Sequence, residues 1–339
     1  MPQRRVALIT GGNSGVGFGI AQRLIEDPAT HDVTVVLACR SAHRFKAARN
    51  ALLSIRPQAT VELLSLDTSD TQAVLKAAEQ FMARFETLDV LFCNAGMLPA
   101  ESINYVQAAF YFLTNTRGFF STTVAINQTQ GLVTPEGMGT VFATNLFGHY
   151  LLIHALRPAL LKAAKARSEA YSRVVWTGSC LGSGKASMTH WVKEDYQHVQ
   201  GPNPYESSKF LVDVASQIIN KKFGGDGIVS YTTEPGVSAS NIYASVNNLL
   251  VRIVYAITTL LLRLLFVATM TITPYNGAIS EVYAATAPVA ALDTRYKYLS
   301  RCAPLGTPFV DREKLCLDPA LVRDIQQKLD ALVARYSNP

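Results

Sequence analysis

The chain has 339 residues, 49% of them hydrophobic and 17% charged, and carries a formal net charge of +6. That length allows a full α/β core, and the low charged fraction argues that some apolar surface stays exposed. The positive balance suits a phosphorylated cofactor or an anionic membrane surface, while the lack of a Lys/Arg-rich run with interleaved aromatics argues against nucleic acid.

In chain order, "VALIT" (Val6–Thr10) predicts a buried strand, and "GGNSGVGFGIAQRLIED" turns helical after it. "VTVVLACR" (Val33–Arg40), "TVELLSLD" and "LDVLFCNAG" predict three more strands, separated by the helices "RFKAARNALLSI" and "TQAVLKAAEQFMARF". Strands alternating with helices of this length predict βαβ units and a Rossmann-like, doubly wound parallel sheet of about seven strands. Residues 98–139 read as an insertion of mixed character. "TVFATNLFGHYLLIHALRPALLKA" predicts a long helix with a break at Pro158. "RVVWTGS" predicts the fifth strand, 183–203 a second insertion, "YESSKFLVDVASQIINKKF" a helix, and "IVSYTTEPG" the sixth strand. An apolar segment, 246–273, precedes the helix "AISEVYAAT" and a seventh strand at Tyr296–Ser300, and an amphipathic helix closes the chain. No linker or repeat divides it, so a single domain over 1–339 is expected. No secretory signal is expected ahead of "RRVALIT", and "ARYSNP" matches no retention or lipidation signal. The five cysteines lack CxxC spacing, which predicts reduced, buried thiols.

"TGGNSGVG" (Thr10–Gly17) lies between a strand and a helix, with Gly11, Gly15 and Gly17 at TGxxxGxG spacing. Glycine permits a tight turn and close approach to a pyrophosphate, which a helix N-terminus attracts. Asn13, Ser14 and Val16 fall in the same loop. The second strand ends in Arg40, where an acidic residue would favour NAD. Arg40, assisted by Ser14 and Arg44, is expected to pair with a 2′-phosphate, which favours NADP(H); the alternative is stacking on adenine or facing solvent. Asp67 is a candidate acceptor for the adenine amino group. Asn94, Ala95 and Gly96 end the fourth strand, where such sheets hold ligands.

"YESSK" sets Tyr205 and Lys209 at i and i+4 on one helix face. A nearby ammonium favours the phenolate and brings a tyrosine towards working range as a proton shuttle. Ser179, at the end of the fifth strand, is a candidate donor to the same carbonyl oxygen. Asn145 is poorly suited to a helix interior and needs another reason to be there, such as a water relay. No metal site is expected: Glu194, Asp195 and His198 lack a second histidine in register and read as a solvated loop. His149 and His154 read as core or surface residues, and Cys180 as a buried structural thiol.

The ordered set TGxxxGxG, NAG, Asn, Ser and YxxxK resembles the short-chain dehydrogenase/reductase superfamily over about Arg5 to Leu299. "LACR", "CNAGMLP", "TNLFGHYLLI", "VVWTGS", "YESSK" and "TITPYNGA" resemble, more narrowly, the 3-keto-steroid reductase (17β-hydroxysteroid dehydrogenase type 7) family. This resemblance implies NADPH-dependent reduction of the sterol 3-ketone left after C-4 demethylation, with estrone reduction at C17 in some animal members. It implies Tyr205 as general acid, Ser179 as carbonyl orienter, Lys209 as ribose holder and tuner of Tyr205, and Asn145 in the proton relay. "EPGVS" matches the family's turn behind the nicotinamide, placing Pro235, Gly236, Val237 and Ser238 there. Gly178 departs from the pattern, since a second serine is frequent at that position. The Ser179–Tyr205 spacing is also longer than in many members. Neighbours in sterol C-4 demethylation, a homodimer, and the cytosolic face of the endoplasmic reticulum membrane or a lipid droplet are implied in the same way. A reductase of another lipid carbonyl, such as a 17-ketosteroid or retinal, and a non-catalytic scaffold are the alternatives.

The stretch Leu249–Met270 is long enough to span a bilayer at about 20 residues, but an arginine at mid-membrane costs roughly 2.5–3.5 kcal/mol. A span would also separate Tyr296–Ser300 from the rest of its sheet, and a core helix would bury arginines. Arg252 and Arg263 lie close to three helical turns apart and share a face with Thr259, Tyr255 standing at its margin. The expectation is an interfacial helix, its apolar side in one leaflet and its arginines reaching headgroups.

Overall fold

The computed structural model describes residues 4–30, 32–115, 123, 125–167, 171–182, 194–238 and 249–337, with backbone only for 249–255. Most of the second expected insertion, 183–193, lies outside these residues, as does 246–248 of the apolar segment.

Strands β1 (Val6–Thr10), β2 (Thr34–Cys39), β3 (Thr60–Ser65) and β4 (Val90–Cys93) alternate with helices α1 (Gly15–Glu26), α2 (Ala42–Ile55) and α3 (Thr71–Met82). Next come β5 (Ala100–Ile103), α4 (Tyr105–Thr114), β6 (Ile126–Gln128) and the long α5 (Gly148–Ala166). β7 (Ser172–Thr177), α6 (Pro204–Phe223), β8 (Ile228–Glu234) and α7 (Leu249–Leu264) follow. The chain closes with α8 (Pro274–Gly277), α9 (Ile279–Thr286), β9 (Tyr296–Cys302), β10 (Pro308–Lys314) and α10 (Pro319–Ser337).

The main sheet has eight strands in the order β10-β9-β8-β7-β4-β1-β2-β3. All neighbours pair in parallel except β10, which returns antiparallel along β9. Strand β10 is the one beyond the expected seven. A two-stranded antiparallel ladder, β5–β6, lies apart and gives structure to the 98–139 insertion.

Strands covered on both faces need apolar side chains on both, and β1, β2 and β7 are buried along their whole length. Alternate residues serve opposite layers: Leu8 joins the cluster with α3, α5 and α6, and Ile9 the cluster with α1, α2 and α9. Helix starts are fixed locally, by the Ser41 side chain accepting from Arg44 N and the Asp70 side chain from Ala73 N.

Sheet order reverses between β1 and β4, which opens a crevice at the carboxyl ends of these strands. Helix α5 is entered through one α-helical turn, Thr140–Phe142, and one π-helical turn, Ala143–Phe147. The expected break at Pro158 does not occur; Pro158 lies inside α5, and the irregularity sits upstream at the π turn.

The apolar stretch departs from expectation in the facing of Thr259 and Arg263. Its helix ends at Leu264, and no helix among the described residues is long and apolar enough to cross a membrane. Thr259, placed on the side meant for headgroups, is fully buried, and Arg263 is half-buried beside the Gly306 turn. At Thr259 and Arg263 the polar side of α7 thus packs on the protein. The apolar side, with Ile257, Leu260, Leu261, Leu264, Leu265 and Phe266, faces outwards. Arg252 and Tyr255 lie outside the described side chains.

Candidate active site

The glycine loop sits at the end of β1. Gly11 and Gly15 have φ of +65° and +55°, a region other residues enter only with strain. A Cβ on Gly17 would lie 2.5 Å from the Gly11 carbonyl oxygen, so the loop closes onto α1 only with glycine there. The Ser14 side chain makes no capping bond, which leaves the first turn of α1 without a side-chain acceptor. Such a cradle fits a pyrophosphate.

Thr10, a residue the sequence reading did not single out, organises the loop after β4. Its Oγ1 accepts from Asn94 N and Ala95 N, each at 2.9 Å, and lies 2.9 Å from His149 Nε2. His149 is fully buried. Burial, then the charge of Lys209, lowers its pKa to about 3, so it serves Thr10 as a neutral ring. Asn94 Nδ2 donates to Thr10 O at 2.9 Å.

Asn145 lies in the π turn, and its amide is fully engaged. Oδ1 accepts from Met97 N at 2.7 Å, while Nδ2 donates to Met97 O at 3.0 Å and to Ser208 Oγ at 2.9 Å. The side chain pins the chain after Gly96 to α6. A Cβ on Gly96 would stand 3.2 Å from Asn145 Oδ1 and 3.7 Å from Lys209 Nζ, so Asn94–Gly96, Asn145 and Lys209 meet at one point. A single π turn re-aims a side chain without ending the helix, and such turns are frequent at functional sites.

Tyr205 and Lys209 are both buried. The Lys209 ammonium lies 5.7 Å from the Tyr205 ring centroid and donates to Thr177 O at 2.8 Å. Thr177 ends β7, two residues before Ser179. Burial first, then the charge of Lys297, lowers the Lys209 pKa to about 8, against the opposing pull of Asp213 and Glu281. Ser179 Oγ accepts from Leu181 N at 3.2 Å. A Cβ on Gly182 would meet the Lys209 carbonyl carbon at 2.6 Å, so the turn after Ser179 rests on the helix that carries Lys209. The insertion supports that helix too: Gln128 Oε1 accepts from Tyr205 N at 3.1 Å, an orphan first-turn donor.

Pro235–Ser238 follow β8. Gly236 has φ +68°, and Val237 N donates to Thr269 O at 2.8 Å, while Ile272 N donates to Val237 O at 2.9 Å. Arg40 is exposed and pairs with Asp67 at 3.4 Å, so the two expected adenosine-end residues meet each other. Burial raises the Asp67 pKa, but the bonds from Ser69 and the charge of Arg40 leave it below its usual value. Arg44 stands exposed on the first turn of α2, its backbone N–H held by Ser41.

Other residues separate from the site. His198 is buried, not solvated, and the Asp195 carboxylate orders its turn by accepting from the N–H groups of Val199, Gln200 and Gly201. The Cys180 thiol is pushed up to about 12, chiefly by burial, which makes it a poor nucleophile. None of the five cysteines forms a disulfide, Cys316 is exposed rather than buried, and no metal-binding cluster occurs among the described residues.

Residues 5–249 match the model of the short chain dehydrogenase family. The chain belongs to that family, and is an oxidoreductase. Its curated short-chain relatives include the rat 3-keto-steroid reductase/17-beta-hydroxysteroid dehydrogenase 7, 35% identical over 93% of this chain and 91% of the relative. The human protein of the same name is 33% identical over 96% and 92%. A 3-keto-steroid reductase from Schizosaccharomyces pombe is 32% identical over 84% and 83%. The short-chain fold is shared with an NADP-bound putative gluconate 5-dehydrogenase from Beutenbergia cavernae (TM-score 0.59, 18% identity, 87% and 93% coverage). It is also shared with an NADPH-bound carbonyl reductase from chicken fatty liver (TM-score 0.50, 22% identity, 71% and 82% coverage).

Proposed function

We propose that this short-chain dehydrogenase reduces a sterol 3-ketone to the 3β-hydroxyl with NADPH, following C-4 demethylation. The observation that carries the proposal is the buried Lys209 ammonium beside the Tyr205 ring, anchored to the strand end that bears Ser179. The substrate class draws support from the names of the rat, human and fission-yeast relatives.

In this reading the bound cofactor supplies a hydride. Ser179 and the Tyr205 hydroxyl hold the ketone oxygen, and Tyr205 donates the proton that completes the alcohol. Lys209 stabilises the resulting phenolate and holds the ribose. Asn145 keeps the loop after Gly96 and helix α6 in register, which supports a proton path to Tyr205 from solvent. Gly11–Gly17 receive the pyrophosphate, Asn94–Gly96 and Pro235–Ser238 border the nicotinamide, and Arg40 leaves Asp67 to take the 2′-phosphate. Residues 1–339 act as one catalytic domain.

The outward apolar side of α7 supports association with one leaflet at the cytosolic face of the endoplasmic reticulum or a lipid droplet, where a sterol is delivered from the bilayer. Thr259 and Arg263 pack on the protein rather than reaching headgroups. Other enzymes of sterol C-4 demethylation and a second copy of the chain are the partners this setting suggests.

The test is NADPH oxidation by detergent-solubilised protein with a 4-methyl-3-ketosterol, alongside estrone, retinal and a Tyr205→Phe variant. Turnover of the 3-ketosterol that falls at least about 1,000-fold in the variant, with NADPH binding retained, is the expected result. Turnover of estrone or retinal alone moves the assignment to another lipid carbonyl. NADPH binding without turnover of any ketone moves it to a scaffold.

A further inference from the structure

Behind Ser179 lies a buried ion pair that the proposed mechanism leaves unused. Lys297, on β9, and Asp213, on α6, meet at 2.6 Å between Nζ and Oδ2, with side chains 1% and 2% exposed. Lys297 Nζ also donates to the Ser179 carbonyl at 3.2 Å. Asp213 is one helical turn beyond Lys209, so the pair joins the helix of Tyr205 and Lys209 to the strand end of Ser179.

Gly178 makes room for this arrangement. A Cβ there would lie 2.7 Å from the Thr233 carbonyl oxygen, and 3.7 Å from both Asp213 Oδ1 and Lys297 Cε. The position where a second serine is frequent in the resembled family is therefore filled by the backbone of β8 and bordered by the ion pair. Buried pairs of this kind gain little stability over an apolar filling, because two charges must be desolvated. Their retention calls for another explanation.

We propose that Lys297 is a positioning residue for the reductase site: its ammonium ties Asp213 to the Ser179 carbonyl and so fixes Ser179 against Tyr205 and Lys209. This rests on the assignment of those residues above. The same ammonium lies in the dry layer around Lys209 and opposes protonation there. The other groups facing this layer are Tyr205 and Asp213 on α6, Glu281 on α9, His149 on α5, Glu234 on β8 with its partner Arg301 on β9, and Cys180 after β7.

The deciding variant is Lys297→Met/Asp213→Asn, which leaves no orphaned buried charge. Alongside it run Asp213→Asn alone, Tyr205→Phe and the unaltered protein, each measured for melting temperature, ketone turnover and NADPH dissociation constant across pH. The expected double variant melts within a few degrees of the unaltered protein and binds NADPH within about 3-fold at neutral pH. Its kcat falls about 10-fold or more while KM for the ketone holds, because Ser179 is no longer fixed. The high-pH limb of NADPH binding, set by Lys209, moves down in Asp213→Asn and moves up in the double variant relative to Asp213→Asn, because the larger opposing charge of Lys297 is lost as well. The binding limb is read without turnover and stands even if the ketone is misassigned. Unchanged kcat and an unmoved limb in a folded double variant overturn the proposal, as does a double variant that does not fold, which assigns the pair to structure. Full turnover by Tyr205→Phe overturns the site assignment instead.

Discussion

In the proposed reading, Arg40 is the residue on which cofactor choice turns. Its guanidinium is exposed and its bond to Asp67 is long, so the pair is worth about 1 kcal/mol at most and yields readily to a phosphate. Arg40→Ala is expected to weaken NADPH binding about 10- to 100-fold while leaving NADH nearly unchanged, as read by nicotinamide fluorescence. Equal loss for both cofactors would assign Arg40 to the adenine instead. Arg40 stands out in the sequence because the glycine loop after β1 and the end of β2 mark where a 2′-phosphate would fall. Lys297 does not. A lysine in "YKYLS" reads as a solvent-facing strand residue, and the hints lie elsewhere: Asp213 on an otherwise apolar stretch of α6, and Gly178 in place of serine. Thr10 was hidden similarly, since a threonine before a glycine turn has ordinary local reasons to be there.

Among the elements, α9 stores a pH dependence. Glu281 is fully buried, and burial above all raises its pKa to about 7. A carboxyl raised in the folded state binds more protons folded than unfolded between about pH 4.5 and 7. Its contribution to stability is therefore greatest below the unfolded pKa and falls as pH rises through the folded one. Glu281→Gln is expected to flatten that fall and to stabilise the protein by about 2 kcal/mol above pH 7, read by urea unfolding at pH 5 and 8. A variant less stable at both pH values would show that the carboxylate is needed as an ion. The elements themselves were legible where burial was two-sided, since β1, β2 and β7 give unbroken apolar runs. β10 was missed because "PFVDREK" is a largely exposed, charged edge strand, the form by which edges avoid further pairing. The π turn leaves no periodic signature, and Asn145 was its only mark.

At the scale of the whole molecule, α7 and the Pro235–Ser238 turn lie in one connection, after the carboxyl end of β8 and before β9. Leu265 and Phe266 are 70% and 81% exposed. Leu261→Ser/Leu265→Ser/Phe266→Ser is expected to lower partitioning onto phospholipid vesicles about 100-fold or more, from the burial each side chain forgoes, with NADPH affinity unchanged. Undiminished co-flotation would sink the membrane reading. The helical pattern revealed which residues of α7 share a side. It did not reveal which side meets the protein, because that depends on Gly306 and the β9–β10 turn, distant in sequence.

The excursion that carries α7 begins after Ser238 and ends at Thr269, where backbone bonds between Val237, Thr269 and Ile272 close its base like a clasp. Closing a long loop costs little more than closing a short one. Whatever hangs beyond the clasp is consequently free to lengthen, shorten or be exchanged without disturbing the Pro235–Ser238 turn. If the proposed function holds, the enzyme is thereby divided into a fixed chemical half and a replaceable receiving half, and a new ketone is accommodated by rewriting only the second.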